Sequence, residues 1–291
     1  MAINNNKKVS ALYNNGTQLV LNTQANPRNS YADIYRKVAA HIYAEDLQGM
    51  TSLPSNFYSS SSTLQSIILA SSIKSIENVA FDNVRTFFDI IYDKENAENS
   101  QLTTIRNGAF NIANVNNAIF PDSVTTVEQG AFLNGGANIR KLSFGAGLST
   151  VHGGSNSGAI NNFILRRAYT DASQLPALGT TTSLLYYTQN IWVADETSKT
   201  LLSSAANWSS SASKMKVMHT IYLDGVAKQI CVNSNELIAT GLVNGLLSDD
   251  ISENLGLKYD FFYDSDYTQP ITPTNYYVDG LILYGRTKQG E

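Results

Sequence analysis

Reactive and charged side chains are scarce in this sequence: one cysteine, three histidines and 15% Asp, Glu, Lys and Arg in 291 residues. A lone cysteine, Cys231, excludes an internal disulfide and any multi-cysteine metal site. Its setting in QICV reads as a buried strand position, where a thiol behaves as a small, inert apolar group. The histidines have no partner at a recognisable catalytic or metal-ligating spacing. His41 falls on a predicted N-terminal helix, His152 in a Gly-rich loop and His219 at a junction between units. No Lys/Arg run is long enough to track a phosphate backbone, and 20 basic against 24 acidic residues leave a formal charge of −4, so no nucleic acid is expected as partner. Nor does any stretch approach the roughly 18 consecutive apolar residues of a membrane span. The start, MAINNNKKVSALYNNG, lacks the apolar run of about 7 to 15 residues that a secretory signal needs. The expectation is a protein that does not use that export route.

What is present is enough to fold. Hydrophobic residues make up 43% of the chain, and its length could hold two or three units. Ser, Thr, Asn and Tyr stand where ordinary cytosolic surfaces carry Lys and Glu, a composition that suits an outward-facing protein. A virion component made in the cytosol reconciles the two expectations.

The chain repeats itself. An apolar-x-x-apolar-x-x-x-Ala-Phe half-unit recurs at Ile73, Ile76, Ala80, Phe81, at Leu102, Ile105, Ala109, Phe110, and at Val124, Val127, Ala131, Phe132. A degenerate copy precedes them at Met50, Leu53, Phe57, Tyr58. A second half-unit, apolar-x-x-apolar-x-apolar, occurs at Leu64, Ile67, Leu69, at Val115, Ala118, Phe120, and at Ile139, Leu142, Phe144. The second always begins nine residues before the next Ile, Val or Leu, which joins the two into one repeat of about 22 to 24 residues. Starts at Met50, Ile73, Leu102, Val124 and Leu148 give about five coils. The one long interval, between Ile73 and Leu102, contains DKENAENSQ, read as a loop inserted on the rim. Each coil should make a short strand, turn, and bury its Phe under the next coil, since one coil cannot close its own core. Ala before Phe suits a tight corner, and Pro121 to Ser123 suits a turn between short strands.

LTTIRNGAF at Leu102 to Phe110 and IFPDSVTTVEQGAF at Ile119 to Phe132 resemble the BspA-type leucine-rich repeat family. The resemblance covers about 120 residues and implies a solenoid. Two departures stand out: Gly145 replaces a usual Pro, and the coil after Leu148 runs into VHGGSNSGA, where distortion is expected. IWVADETSKTLLSSAANWSSSASKMKVM, at Ile191 to Met218, resembles the ending that often closes such repeats in gut-bacterial and phage-encoded proteins. It should contain a strand NIWV, a helix from about Asp195 carrying Leu201 and Leu202, and Trp208 as cap core. FFYDSDYTQPITPTNYYVDGLILYGRT resembles the internalin B-type repeat, which implies a β-grasp-like stalk or contact module.

The expected architecture is therefore α+β and β-rich: a leucine-rich-repeat solenoid with a helical C-terminal cap and a small C-terminal β-grasp-like domain. Residues 1–45 are read as a hairpin around Asn14, Asn15 and Gly16, then a helix from Ser30 with Ile34, Val38 and Ile42 on its apolar face. This segment is either a cap of the first coil or an attachment arm. Residues 46–170 hold the repeats and 171–218 the cap. A separate unit, 219–291, has strands at TIYLDG, KQICV, KYDFFYD and GLILYGRT.

No catalytic, cofactor or metal residues are assigned. HGGSNSGA at His152 to Ala159 has neither the context nor the Lys of a phosphate loop. DSDYTQ, Asp264 to Gln269, is too short for a Ca²⁺ loop and reads as a turn. The 16 tyrosines, with pairs at Tyr186/Tyr187 and Tyr276/Tyr277 and a cluster at Tyr259, Tyr263 and Tyr267, suit recognition of sugars or proteins. The expected function is that of a non-enzymatic virion component of a tailed phage, in tail, neck or head fibre. It would contact other virion proteins through its N-terminal segment, as a homo-oligomer or part of a larger assembly, and bind a host surface glycan or protein. A bacterial surface or secreted adhesin is the alternative, and a carbohydrate-active enzyme, which needs two carboxylates across a cleft, the third.

Overall fold

The computed structural model describes residues 40–47, 49–92, 94–132, 137–153, 159–179, 184–233, 246–251, 255–271 and 282–288. The expected N-terminal hairpin and most of the expected helix lie outside them. Ile42 and His41 do not: they form a strand, β1 (His41–Ile42), instead of the end of a helix. Backbone pairing explains the difference, because β1 adds to the first coil in parallel, His41 opposite Ser66 and Ile42 opposite Ile67.

Among the described residues the repeats stack into two parallel sheets. The larger runs in the order β1, β3 (Ser66–Ile68), β5 (Phe88–Ile91), β7 (Asn114–Ile119), β9 (Asn138–Phe144), β11 (Ala159–Leu165), β13 (Thr188–Val193), β14 (Met215–Val217). The smaller orders β12 (Ala177–Leu178), β10 (Thr150–Val151), β8 (Thr126–Val127), β6 (Thr104–Ile105), β4 (Ser75–Ile76) and β2 (Ser52–Leu53). Odd and even strands alternate along the chain, so each coil gives one strand to each sheet. Between them lies one apolar core.

The register accounts for the repeat's composition. Leu53, Ile76, Ile105, Val127, Val151 and Leu178 stand opposite one another and point inward, while Ser52, Ser75, Thr104, Thr126, Thr150 and Ala177 form the neighbouring outward row. Paired strands lie about 4.7–4.9 Å apart, so equivalent rings in successive coils stack. Phe81 and Phe110 are 5.1 Å apart and Phe110 and Phe132 4.9 Å, nearly coplanar in both pairs. A second line runs Phe120, Phe144, Phe163 and ends on Trp208. The alanine before each aromatic is buried and its carbonyl links coils: Tyr58 N donates to Ala80 O, Phe81 N to Ala109 O and Phe110 N to Ala131 O, at 2.7 to 2.8 Å.

The corners are left-handed. Two residues before each aromatic stand Asn56, Val79, Gly108 and Gly130, and two residues after stand Ser60, Asn83 and Ile112, all with φ between 54° and 70°. Glycine and asparagine suit that region; Val79 and Ile112 are β-branched and sit there under strain.

Both irregularities of the repeat acquire physical reasons. The insertion is not simply a rim loop but carries a helix, α1 (Lys94–Glu98), and Asn96 Oδ1 accepts from Ser71 N at 2.8 Å, pinning it to the preceding coil. Gly145 stands in place of a proline because Asp122 closes on this turn: a Cβ on Gly145 or Gly147 would overlap it, and Ala146 N donates to Asp122 Oδ1 at 2.9 Å. The coil after Leu148 keeps its register through Val151 and buries both residues; residues 154–158 are outside the described set.

Beyond Leu165 the larger sheet continues. The segment expected as a cap contributes β13 and β14, in parallel register with the coils before them, and α2 (Glu196–Ser204) covers the end of the core. Asp195 caps α2, accepting from Ser198 N at 2.7 Å. Leu202 and Trp208 are buried in the solenoid's own core, and Trp208 Nε1 donates to Pro176 O at 2.9 Å.

The C-terminal residues form a third, mixed sheet in the order β17 (Leu246–Leu247), β16 (Val226–Cys231), β15 (His219–Leu223), β19 (Leu283–Thr287), β18 (Tyr259–Phe262). The four expected strands are all present, and α3 (Leu255–Lys258) precedes β18. The β15–β16 turn is Asp224-Gly225, both at positive φ, as a two-residue hairpin requires. Ile221, Ile230, Leu247, Leu255, Phe261 and Leu283 make a small core of their own. The unit is docked on the outer face of the larger solenoid sheet.

Candidate functional site

The docking starts from two outward side chains of the solenoid. Lys141 and Ser143 on β9 are buried, although the pleat turns them away from the solenoid core. Lys141 Nζ donates to the carbonyls of Leu247, at 3.1 Å, and Asp250, and Ser143 Oγ donates to Ser248 O. Buried donors must be satisfied, and here the backbone around β17 satisfies them. Beside them, Cys231 of β16 packs on Ile164, Trp192 and Met218. Lys216 Nζ reaches Asn233 Oδ1 at 2.6 Å while lying 5.3 Å from the Trp192 ring.

Where this docked sheet stops short of the insertion, a cleft of about 650 Å³ opens. Its floor and walls include Ile91, Ile119, Phe120 and Ile251, and Ala97 and Glu98 of α1 close one side. Thus the repeat's one long interval and the C-terminal module meet around one cavity. Arg166 also lines it, with its side chain 15% exposed. Its Nη1 donates to Ser143 Oγ at 2.7 Å and its Nη2 to Phe120 O, with Asp122 Oδ1 3.9 Å away. Burial lowers the Arg166 guanidinium below its ordinary value, and the Asp122 and Asp249 carboxylates pull it back up. Lys228 pairs with Asp249 at 3.0 Å on the rim. Ser123 Oγ donates to Ser100 Oγ at 3.1 Å, fastening the turn to the end of the insertion.

Chemically, the cleft offers an apolar base, fixed hydroxyls and carboxylates. Asp122 is held by Ala146 N and Asp249 by Lys228, so both are tied into the scaffold. No group of three or more His, Cys, Asp or Glu among the described residues could hold a metal ion.

The residues singled out from sequence go elsewhere. His41 Nδ1 lies 2.8 Å from Ser66 Oγ on the neighbouring strand of the larger sheet. His152 covers Gly179, where a Cβ would strike its ring, and His219 is buried at the start of β15. Cys231 is a buried strand residue, its thiol pushed well above the ordinary range by burial. Asp264 accepts from Thr268 N and Gln269 N at 3.0 and 2.9 Å, the expected turn; these bonds, with that of Thr268 Oγ1, hold its carboxyl below the usual range. Tyr186 and Tyr187 pack edge to face with Tyr186 exposed, whereas Tyr276 and Tyr277 are outside the described residues. Arg286 lies 5.0 Å from the Phe262 ring and 5.3 Å from that of Tyr267. Sequence reasoning missed Lys141, Arg166, Asp122 and Asp249. Their partners lie tens of residues away, and the only local signal was a Lys inside NIRKLSF, a strand otherwise filled by the repeat.

Two stacked parallel sheets, one strand of each per coil, define a repeat solenoid, and the cleft lies on the outer face of its larger sheet. The family model described as BspA type Leucine rich repeat region matches residues 43–161 in six copies. That part of the chain is of the leucine-rich-repeat kind, the mark of an interaction or structural protein. No curated protein and no solved structure is found to match the chain.

Proposed function

We propose that the protein is a non-enzymatic component of a tailed-phage virion, in tail, neck or head fibre, that displays its solenoid for assembly or for contact with a host surface. The observation that carries this is the ordered outer surface: Ser52, Ser75, Thr104, Thr126 and Thr150 are held in unbroken register on a parallel ladder. Such a face is rigid because each coil is fixed by its neighbours, and a rigid polar face loses little entropy on binding. The docked C-terminal module adds bulk to one flank instead of extending the solenoid. Its mixed sheet, with β15 and β19 parallel at the centre, supports the β-grasp-like reading.

The reading expects the full chain to assemble and to occur in particles. Native mass spectrometry of the purified chain and mass spectrometry of particles from a culture that encodes it test both points. Oligomers together with stoichiometric presence in particles support it. A monomer that is absent from particles overturns it.

A further inference from the structure

We propose that the cleft between α1 and the C-terminal module binds a short extended peptide segment carrying a cationic side chain beside an apolar one. This rests on the reading of the chain as an interaction protein and names the partner of one surface.

The charge at the cleft is uneven. Arg166 turns its guanidinium onto Phe120 O and Ser143 Oγ with Asp122 Oδ1 3.9 Å away, and Lys228 is paired with Asp249, so each cation has a carboxylate of the protein beside it. Of the charged residues that line the cleft, Glu98, Asp122, Asp249 and Asp250 are acidic against the basic Arg166 and Lys228, and Glu98, on an exposed residue, and Asp122, with its side chain 76% exposed, stand at the rim. A partner entering here meets net negative charge above an aliphatic floor of Ile91, Ile119 and Ile251. An ammonium or guanidinium group answers the first feature and a neighbouring apolar side chain the second. The volume of about 650 Å³ lies inside the roughly 300–1,000 Å³ usual for binding pockets. It admits a few side chains, not a folded domain.

The test uses the full chain and fluorescence anisotropy with a labelled Gly-Lys-Ile-Lys-Ile-Gly peptide, against the same peptide with Glu for Lys and a neutral oligosaccharide of similar length. The basic peptide should bind, and more weakly at high salt. Glu98→Gln with Asp122→Asn should weaken it about tenfold while leaving thermal unfolding in place, since asparagine still accepts from Ala146 N. Ile91→Ser should weaken it independently of salt. No binding at millimolar peptide overturns the proposal. So does equal binding of the acidic peptide or the oligosaccharide, or an unchanged affinity in the double variant. If the chain is found in particles but the peptide fails, only the cleft assignment falls.

Discussion

Lys141 Nζ donates to the carbonyl oxygen of Leu247 at 3.1 Å, across 106 residues of chain. The lysine is 1% exposed, yet it stands on the outer face of the solenoid. Its burial is therefore the work of the docked module, whose backbone carbonyls at Leu247 and Asp250 take the place of water. A buried amine with such partners is costly to truncate, because the carbonyls lose their donor and a cavity remains. Lys141→Ala should destabilise the docked state by about 2–4 kcal/mol. Urea unfolding should show it, and hydrogen exchange should rise first in residues 246–251, before the solenoid strands.

Tyr169 offers a pH-dependent test. Its hydroxyl is buried with no hydrogen-bond partner among the described residues, and burial pushes the phenol up to about 12. The unfolded phenol ionises near 10, so the fold's stability is unaffected by this group below about pH 10 and falls as pH rises toward 12. The full loss is about 2–3 kcal/mol. Tyr169→Phe should remove that alkaline loss and, having no orphan hydroxyl to bury, should be neutral or about 1 kcal/mol stabilising at pH 7. Chemical unfolding of both proteins between pH 7 and 11.5 measures it.

The corner residues predict opposite effects for two substitutions. Val79 and Gly108 occupy equivalent left-handed positions in successive coils, at φ 54° and 64°. Val79→Gly relieves a β-branched residue there and should stabilise the protein by about 0.5–1 kcal/mol, after some lost packing. Gly108→Ala places a Cβ 3.3 Å from Val79 Cγ1 as well as straining the backbone, and should destabilise by about 1–2 kcal/mol. Thermal unfolding of the two variants reads both signs.

Asp224 should act at acid pH. Thr287 N and Oγ1 donate to its carboxylate at 2.9 and 2.6 Å, tying the β15–β16 turn to the end of β19, and these bonds hold its carboxyl below the usual range. A depressed folded-state value means its contribution is present above the ordinary carboxylate range, near 4, and is lost as pH falls through the folded value. Asp224→Asn should lower stability at pH 6 and approach the unsubstituted protein as the pH is taken below about 3. Urea midpoints across pH 2 to 7 check this.

These residues also show what the sequence could and could not reveal. The coils were legible because one corner and one strand recur: Ala80-Phe81, Ala109-Phe110 and Ala131-Phe132 carry their spacing openly. Asp195 and Trp208 were legible because a cap and a large aromatic state their roles locally. β14 was not, since MKV has no repeat signature and joins the sheet only through the register of β13. Nor could His41 be placed, because an apolar residue on either side fits a helix or a two-residue strand. The cleft was hidden for a stronger reason: Arg166 meets Phe120 at 46 residues' separation and Lys141 meets Asp250 at 109, and no local pattern encodes such pairs.

The C-terminal module, docked on the solenoid's flank, carries its own reporter of that docking. Cys231 is 5% exposed at that junction, against Ile164, Trp192 and Met218. Labelling of this thiol by a soluble disulfide reagent in native buffer should be as slow as global unfolding, and Lys141→Ala should speed it while circular dichroism stays native. Complete labelling of the unsubstituted, folded protein within minutes would contradict the docked arrangement.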